Sequence, residues 1–127
     1  MTIEKLANSL RIKTKSSLVS LSKDEAQIGE MKILTPGEYE KDGIFMDYKG
    51  PNLLWIFADK MRIARVEGSD FDPKLLEDLG GVDILLVEDE SLIREIEPRL
   101  AVLIPKLTEK LNIKEADLPT DSTKILP

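Results

Sequence analysis

VDILLVEDESLIREIEPRLAVLIP, residues 82–105, is the stretch whose reading decides the fold class. Val82 to Val87 is a continuous apolar run of the kind found in a buried strand. Ser91 to Glu97 reads as a short helix stopped by Pro98, and Leu100 to Ile104 as a second buried strand closed by Pro105. Strand, helix, strand in this order implies a right-handed parallel crossover, and its helix is short for one.

Upstream, Asp72-Pro73 followed by KLLEDLGG has an N-cap acid, proline at the first helical position, and Leu75, Leu76 and Leu79 on one face. Gly80 stops that helix. Before it, Asn52 to Ala58 and Met61 to Val66 are two strands joined by Asp59-Lys60, a two-residue connection of hairpin length. Lys60 stands where glycine is usual, so a left-handed backbone there costs about 1 kcal/mol if the turn is type I′. Further back, Gly37 to Tyr48 reads as a strand pair broken at Lys41-Asp42-Gly43, and Met31 to Leu34 as a short apolar run stopped by Pro36-Gly37. Ser9 to Ser22 alternates as a hairpin around Lys15-Ser16-Ser17, and a polar stretch runs from Lys23 to Glu30. In the tail, Lys106 to Leu111 is one helical turn or two. Leu111 to Lys114 and Lys124 to Leu126 look like edge strands flanking Pro119, which rules out a central strand.

The 127 residues suit one domain, 1–127, with no repeat and no Gly/Ser-rich linker dividing it. There is no cysteine and no histidine. That absence removes disulfide frameworks, thiolate zinc sites, cysteine nucleophiles, histidine bases and imidazole-held metals together. It is compatible with a reducing cytosol. The N-terminus MTIEKLANSLRIKTK has no apolar run long enough for a signal peptide or a membrane span, so a cytoplasmic protein without a membrane is expected.

The net charge of −6 is unevenly spread. Residues 1–23 carry Lys5, Arg11, Lys13, Lys15 and Lys23 against Glu4, whereas residues 67–97 carry eleven acids against Lys74 and Arg94. A basic edge and an acidic flank could pair head to tail between copies or simply be solvated. The acidic majority disfavours nucleic acid.

Five strings in order carry a family resemblance: Pro36 to Glu40 with Gly43-Ile44-Phe45; the Leu54 to Val66 hairpin; LLEDLGGVDILLV at 75–87; Ile96 to Pro105; and the ending KLNIKEADLPTDSTKIL. Together they resemble the metallo-β-lactamase superfamily, in the branch related to ascorbate-6-phosphate lactonase. The resemblance implies an α/β (α+β) architecture, a truncated αββα sandwich of two mostly antiparallel or mixed sheets with few short helices. It also implies that the family's His-x-His-x-Asp-His loop and the helix after it are missing, with only Lys23 to Glu30 left of that segment. Arg65-Val66-Glu67-Gly68-Ser69-Asp70 stands where the family has a His-Leu-Gly-Asp string, and Lys106-Leu107 near its last ligand histidine. Since the family's hydrolysis needs a metal to activate water, the resemblance implies loss of catalysis, no cofactor, and a vestigial pocket at Arg65, Glu67, Asp70 and Lys106.

Other candidates remain open. Glu67, Asp70, Asp72, Glu88, Asp89 and Glu90 could hold Mg²⁺ or Ca²⁺ through oxygen, or serve as local helix caps at Asp72 and Asp89-Glu90. Arg65 and Lys106 could form an anion pocket, or Arg65 could plug the old metal cavity by pairing with Glu67 or Asp70. Ser20-x-x-Lys23 has the spacing of a Ser-Lys nucleophile pair, which works only with a desolvated lysine. Trp55 and Phe57 alternate onto one strand face as core. The leading expectation is a non-catalytic interaction or structural module, a homodimer or bound to a protein partner. It would close an apolar sheet face left uncovered by the missing helix. A carboxylate-metal or metal-independent hydrolase, and a binder of small anions or nucleic acid through Arg65, Lys106 and the N-terminal basic edge, are the alternatives.

Overall fold

The computed structural model describes residues 1–23, 25–50, 52–68, 72, 74 and 81–126. The first sheet is built from β1 (Thr2–Lys5), β2 (Ser9–Lys13), β3 (Leu18–Ser22), β4 (Ala26–Ile28) and β5 (Met31–Ile33), antiparallel in chain order. The second begins with β6 (Gly37–Lys41), β7 (Ile44–Gly50), β8 (Leu53–Ala58) and β9 (Met61–Val66), also antiparallel. β10 (Ile84–Val87) and β11 (Leu100–Leu103) then add in parallel to β9, with helix α1 (Ser91–Ile96) between them. β12 (Leu111–Asn112) returns to the first sheet beside β1, and β13 (Lys124–Leu126) closes the second beside β11. The tail strands are thus edge strands, and the crossover expected at 82–104 joins neighbouring parallel strands.

Alternation decides which way each side chain faces. Ile3, Leu10, Ile12, Val19, Leu21 and Ile28 of the first sheet pack against Ile44, Met46, Ile56, Ile63, Ile84, Leu86 and Val102 of the second in one core. The intervening residues of the second sheet, Leu53, Trp55, Ala64, Val66, Leu85, Val87, Ala101 and Leu103, form another core with Leu92 and Ile93 of α1. The second sheet is therefore buried on both faces, which is why β10 and β11 read as unbroken apolar runs. The layers described are sheet, sheet, helix, a reduced form of the four-layer sandwich.

Several expectations change. The polar stretch Lys23 to Glu30 contains β4, whose Ala26 and Ile28 are fully buried while Gln27 faces out. The charged N-terminus holds β1, too short for its alternation to register in the sequence. Ile104 to Lys106 is a 3₁₀ turn, so β11 ends one residue early. The helix expected from Pro73 lies outside the described residues, although Asp72 Oδ1 accepts the Lys74 amide at 3.0 Å. The outer face of the first sheet is not apolar. Thr2, Glu4, Arg11, Lys13, Ser20, Gln27 and Lys32 stand on it, with Leu18 as an exposed apolar residue among them. Such a polar face does not require an apolar cover.

Two tight turns of the second sheet show how local chemistry sets register. Asp42-Gly43 takes φ 53° and 77°, a left-handed pair that glycine adopts without cost. Asp59-Lys60 takes φ 51° and 64° between β8 and β9, and lysine there carries the penalty the sequence implied. Lys60→Gly is expected to raise stability by up to about 1 kcal/mol, read as a higher midpoint in a denaturant melt with unchanged slope.

Candidate functional site

Parallel strands bring their C-terminal ends to one edge, the usual place for a ligand in such sheets. Arg65 and Glu67 at the end of β9, Glu88 just past β10 and Ile104 just past β11 line a cleft of about 430 Å³ there. The first sheet supplies the facing wall from the β1–β2 turn, Lys5 to Leu10, and from Leu21, Ser22 and Lys23. The turn is closed by the Leu6 amide on the Ser9 carbonyl at 2.8 Å, and the Asn52 carbonyl fixes Glu67 through its amide at 2.9 Å.

Arg65 is the unusual residue. Its neighbours in register are Leu54 and Leu86, both inward-facing, so alternation turns the guanidinium between the sheets. Only 11% of its side chain is exposed, and its Nη2 donates to Glu67 Oε1. Its Nε is buried with no hydrogen-bond partner. A charge in such a place is tolerable only when paired.

The other candidates scatter. Asp70 lies outside the described residues. Lys106 stands 3.8 Å from Glu90, both about two-thirds exposed, and Ile104 rather than Lys106 reaches the cleft. Asp89 Oδ1 accepts the Ser91 amide at 2.9 Å. That bond, and then the Ser91 hydroxyl, hold its carboxyl below the usual range. Asp89 thus belongs to the start of α1, as local capping implied. Ser20 faces outward opposite Arg11 and Gln27, and Lys23 is exposed, so the lysine lacks the desolvation a catalytic base needs. Trp55 is core, edge-on to Phe45 at 5.9 Å and donating to the Gly81 carbonyl at 3.1 Å. Phe57, stacked on it at 6.4 Å, is 43% exposed and so only half fits the core reading. Lys5 was a candidate only as part of the basic N-terminal edge, and Asn8 and Ser9 were not candidates in the sequence, because only the pairing of β1 with β2 brings their turn to the cleft.

Among the described residues no group of three or more carboxylates is placed to hold an ion. In the cleft itself Glu67 is engaged by Arg65.

A larger hollow of about 650 Å³ lies at the opposite end, between Met1, Asp59, Met61, Arg99 and Ile113. Two of its charged groups are engaged by the chain. Asp59 accepts the Lys15 amide at 3.1 and 3.3 Å, and Arg99 donates to the Pro119 and Leu118 carbonyls at 2.8 and 3.2 Å. Beside it, buried Asp83 takes the Arg62 amide at 2.8 Å, the Arg62 guanidinium at 3.1 and 3.2 Å, and Arg99 at 3.5 Å. This node ties the starts of β10 and β11 to the end of β9's turn and to the tail.

The chain has the fold of the metallo-β-lactamase superfamily. It superposes on the crystal structure of a protein from Thermotoga maritima classed as a Zn-dependent hydrolase of that superfamily, with a TM-score of 0.71. The match covers 99% of this chain and 98% of the other at 12% identity. No family model and no curated protein matches the sequence. No helix among the described residues is long and apolar enough to cross a membrane.

Burial alone would raise the Asp83 carboxyl, but the hydrogen bonds and charges of Arg62, with Arg99 behind them, outweigh it and hold it below the ordinary range. Its stabilising effect is therefore complete above the unfolded value near 3.9 and is lost as pH falls through the lower folded value. Asp83→Asn is expected to cost about 1–3 kcal/mol at pH 7. It should also flatten the acid limb below pH 4, measured by urea melts across pH 2.5–7.

Proposed function

We propose that this protein is a non-catalytic, metal-free relative of the metallo-β-lactamase-fold hydrolases, working in the cytoplasm as an interaction module whose partner is another copy of itself. The observation that carries the first part is the Arg65–Glu67 pair at the strand-end cleft. A guanidinium there repels a dication and satisfies the carboxylate that would attract one. The sequence also supplies neither imidazole nor thiolate to replace it. Without a metal or a histidine, nothing in the cleft lowers the pKa of a water to make it a nucleophile at neutral pH.

Charge supports the choice of partner. The open face of the first sheet presents Arg11, Lys13 and Lys32, with Lys15 and Lys110 beside it, against Glu4. On the far side, beyond the second sheet, the α1 corner presents Asp89, Glu90, Glu95 and Glu97 against Arg94 and against Lys106, which stands 3.8 Å from Glu90. The two faces are complementary and lie on opposite sides of the molecule, so contact between them is head to tail. It is also salt-sensitive.

Purified protein is expected to carry no stoichiometric transition metal. It should show no turnover of a phosphodiester or a lactone with added Zn²⁺, Mn²⁺ or Mg²⁺. Turnover abolished by a chelator and restored by one of these ions would sink the non-catalytic reading. Light scattering is expected to give a mass above that of one chain that grows with concentration and falls toward one chain in 0.5 M salt. Arg11→Glu with Lys13→Glu should leave a monomer, and a monomer of the unaltered chain at all concentrations would remove self-association.

A further inference from the structure

We infer that the strand-end cleft is a binding site for a small oxyanion, a carboxylate or a phosphate, with the Arg65 guanidinium as its anchor. The inference rests on the reading of the cleft as non-catalytic and names what it holds. Three observations carry it.

The first is an unmet donor. A guanidinium offers five N–H groups in a planar fork, and Glu67 engages it through Nη2 while Nε is buried without an acceptor. Leaving such a group unpaired costs about as much as a lost hydrogen bond, and native proteins rarely leave one so. The second is the identity of the group already there. Glu67 is a tethered carboxylate on the guanidinium, so the chain itself shows the class of ligand the fork accepts. A free oxyanion of the same shape competes for it, and a turn of the guanidinium away from Glu67 presents Nε–H and one Nη–H side by side for two parallel bonds. The third is the surroundings. Lys5 and Lys23 add two cations at the rim, so with Arg65 the cleft carries three positive side chains against Glu67 and Glu88. Asn8 and Ser9 add neutral polar groups, and the apolar floor is Leu10, Leu21 and Ile104. A volume of about 430 Å³ exceeds what one water fills and lies within the range of small-ligand sites.

The probes are inorganic phosphate and succinate, titrated into the full chain at constant ionic strength against chloride and followed by amide NMR shifts. The expected result is saturable binding of at least one probe, with the shifts concentrated in the Lys5–Leu10 turn and around Arg65 and Glu67. Glu67→Gln removes the internal competitor and should tighten binding about tenfold. Arg65→Met should abolish it. If Arg65→Met does not fold, Arg65→Lys replaces it and should weaken binding at least about tenfold, because lysine lacks the fork.

No saturable shift beyond chloride in either the unaltered chain or Glu67→Gln would overturn the inference and leave a buried water as the occupant of Nε. Binding unchanged by the Arg65 variants, or weakened by Glu67→Gln, would overturn it as well. The non-catalytic reading stands or falls separately, on the turnover assay, since a protein can fail to bind phosphate and still lack activity.

Discussion

Contact between the inner faces of the two sheets is the interaction on which everything else in this molecule depends. Ile3, Ile12, Leu21 and Ile28 meet Ile44, Met46, Ile56, Ile63 and Ile84 in a dry layer, and burial of such side chains is worth about 1.5–3 kcal/mol each. That layer obliges each strand to alternate. On β9 it takes Met61 and Ile63 inward and, two residues on, Arg65. The cation at the mouth of the sandwich is thus placed by the same register that builds the core.

Two arginine–carboxylate centres sit at opposite ends of the parallel strands and differ in completeness. At the start of β10, Asp83 is bonded from the Arg62 amide and from two guanidiniums, and it joins β9, β10, β11 and the tail. Every oxygen has a donor, which is how a buried charge becomes structural. At the other end Arg65 has one carboxylate and a spare donor. A satisfied network lies at the strand starts and an incompletely satisfied one at the strand ends, the edge where open parallel sheets take their ligands.

A shared architecture at 12% identity speaks for the frame and not for the chemistry hung on it. In the superfamily resemblance, hydrolysis depends on histidine-held metal, and a chain with no histidine cannot build that centre. What the frame keeps is a cleft at the strand ends, and what this sequence puts in it is a guanidinium. The open first sheet follows a similar logic. Its outer face is polar at nearly every outward position, so it needs no helical cover and presents charge instead.

Much of this was written in local pattern. The β2–β3, β6–β7 and β8–β9 hairpins, the buried runs at 84–87 and 100–103, the short helix from Ser91 and the edge character of the tail are all set by alternation, turn residues and proline, which act within a few residues. So was the pairing of Arg65 with Glu67, two positions apart on one strand. Other features had no local signal. β1 and β4 are too short for periodicity and exist because neighbouring strands offer them hydrogen bonds. Lys5, Asn8 and Ser9 join the cleft because β1 pairs with β2 and the first sheet packs on the second. Lys106, placed near the site by the family resemblance, stands on Glu90 because the 3₁₀ turn after β11 redirects the chain. Sequence by itself determined which residues seek the interior and which chemistries are impossible, because side-chain polarity and the absence of imidazole and thiol are local facts. Only the tertiary structure decided which polar groups meet at the strand ends, because that depends on how two sheets with separate hydrogen-bond ladders lie against each other.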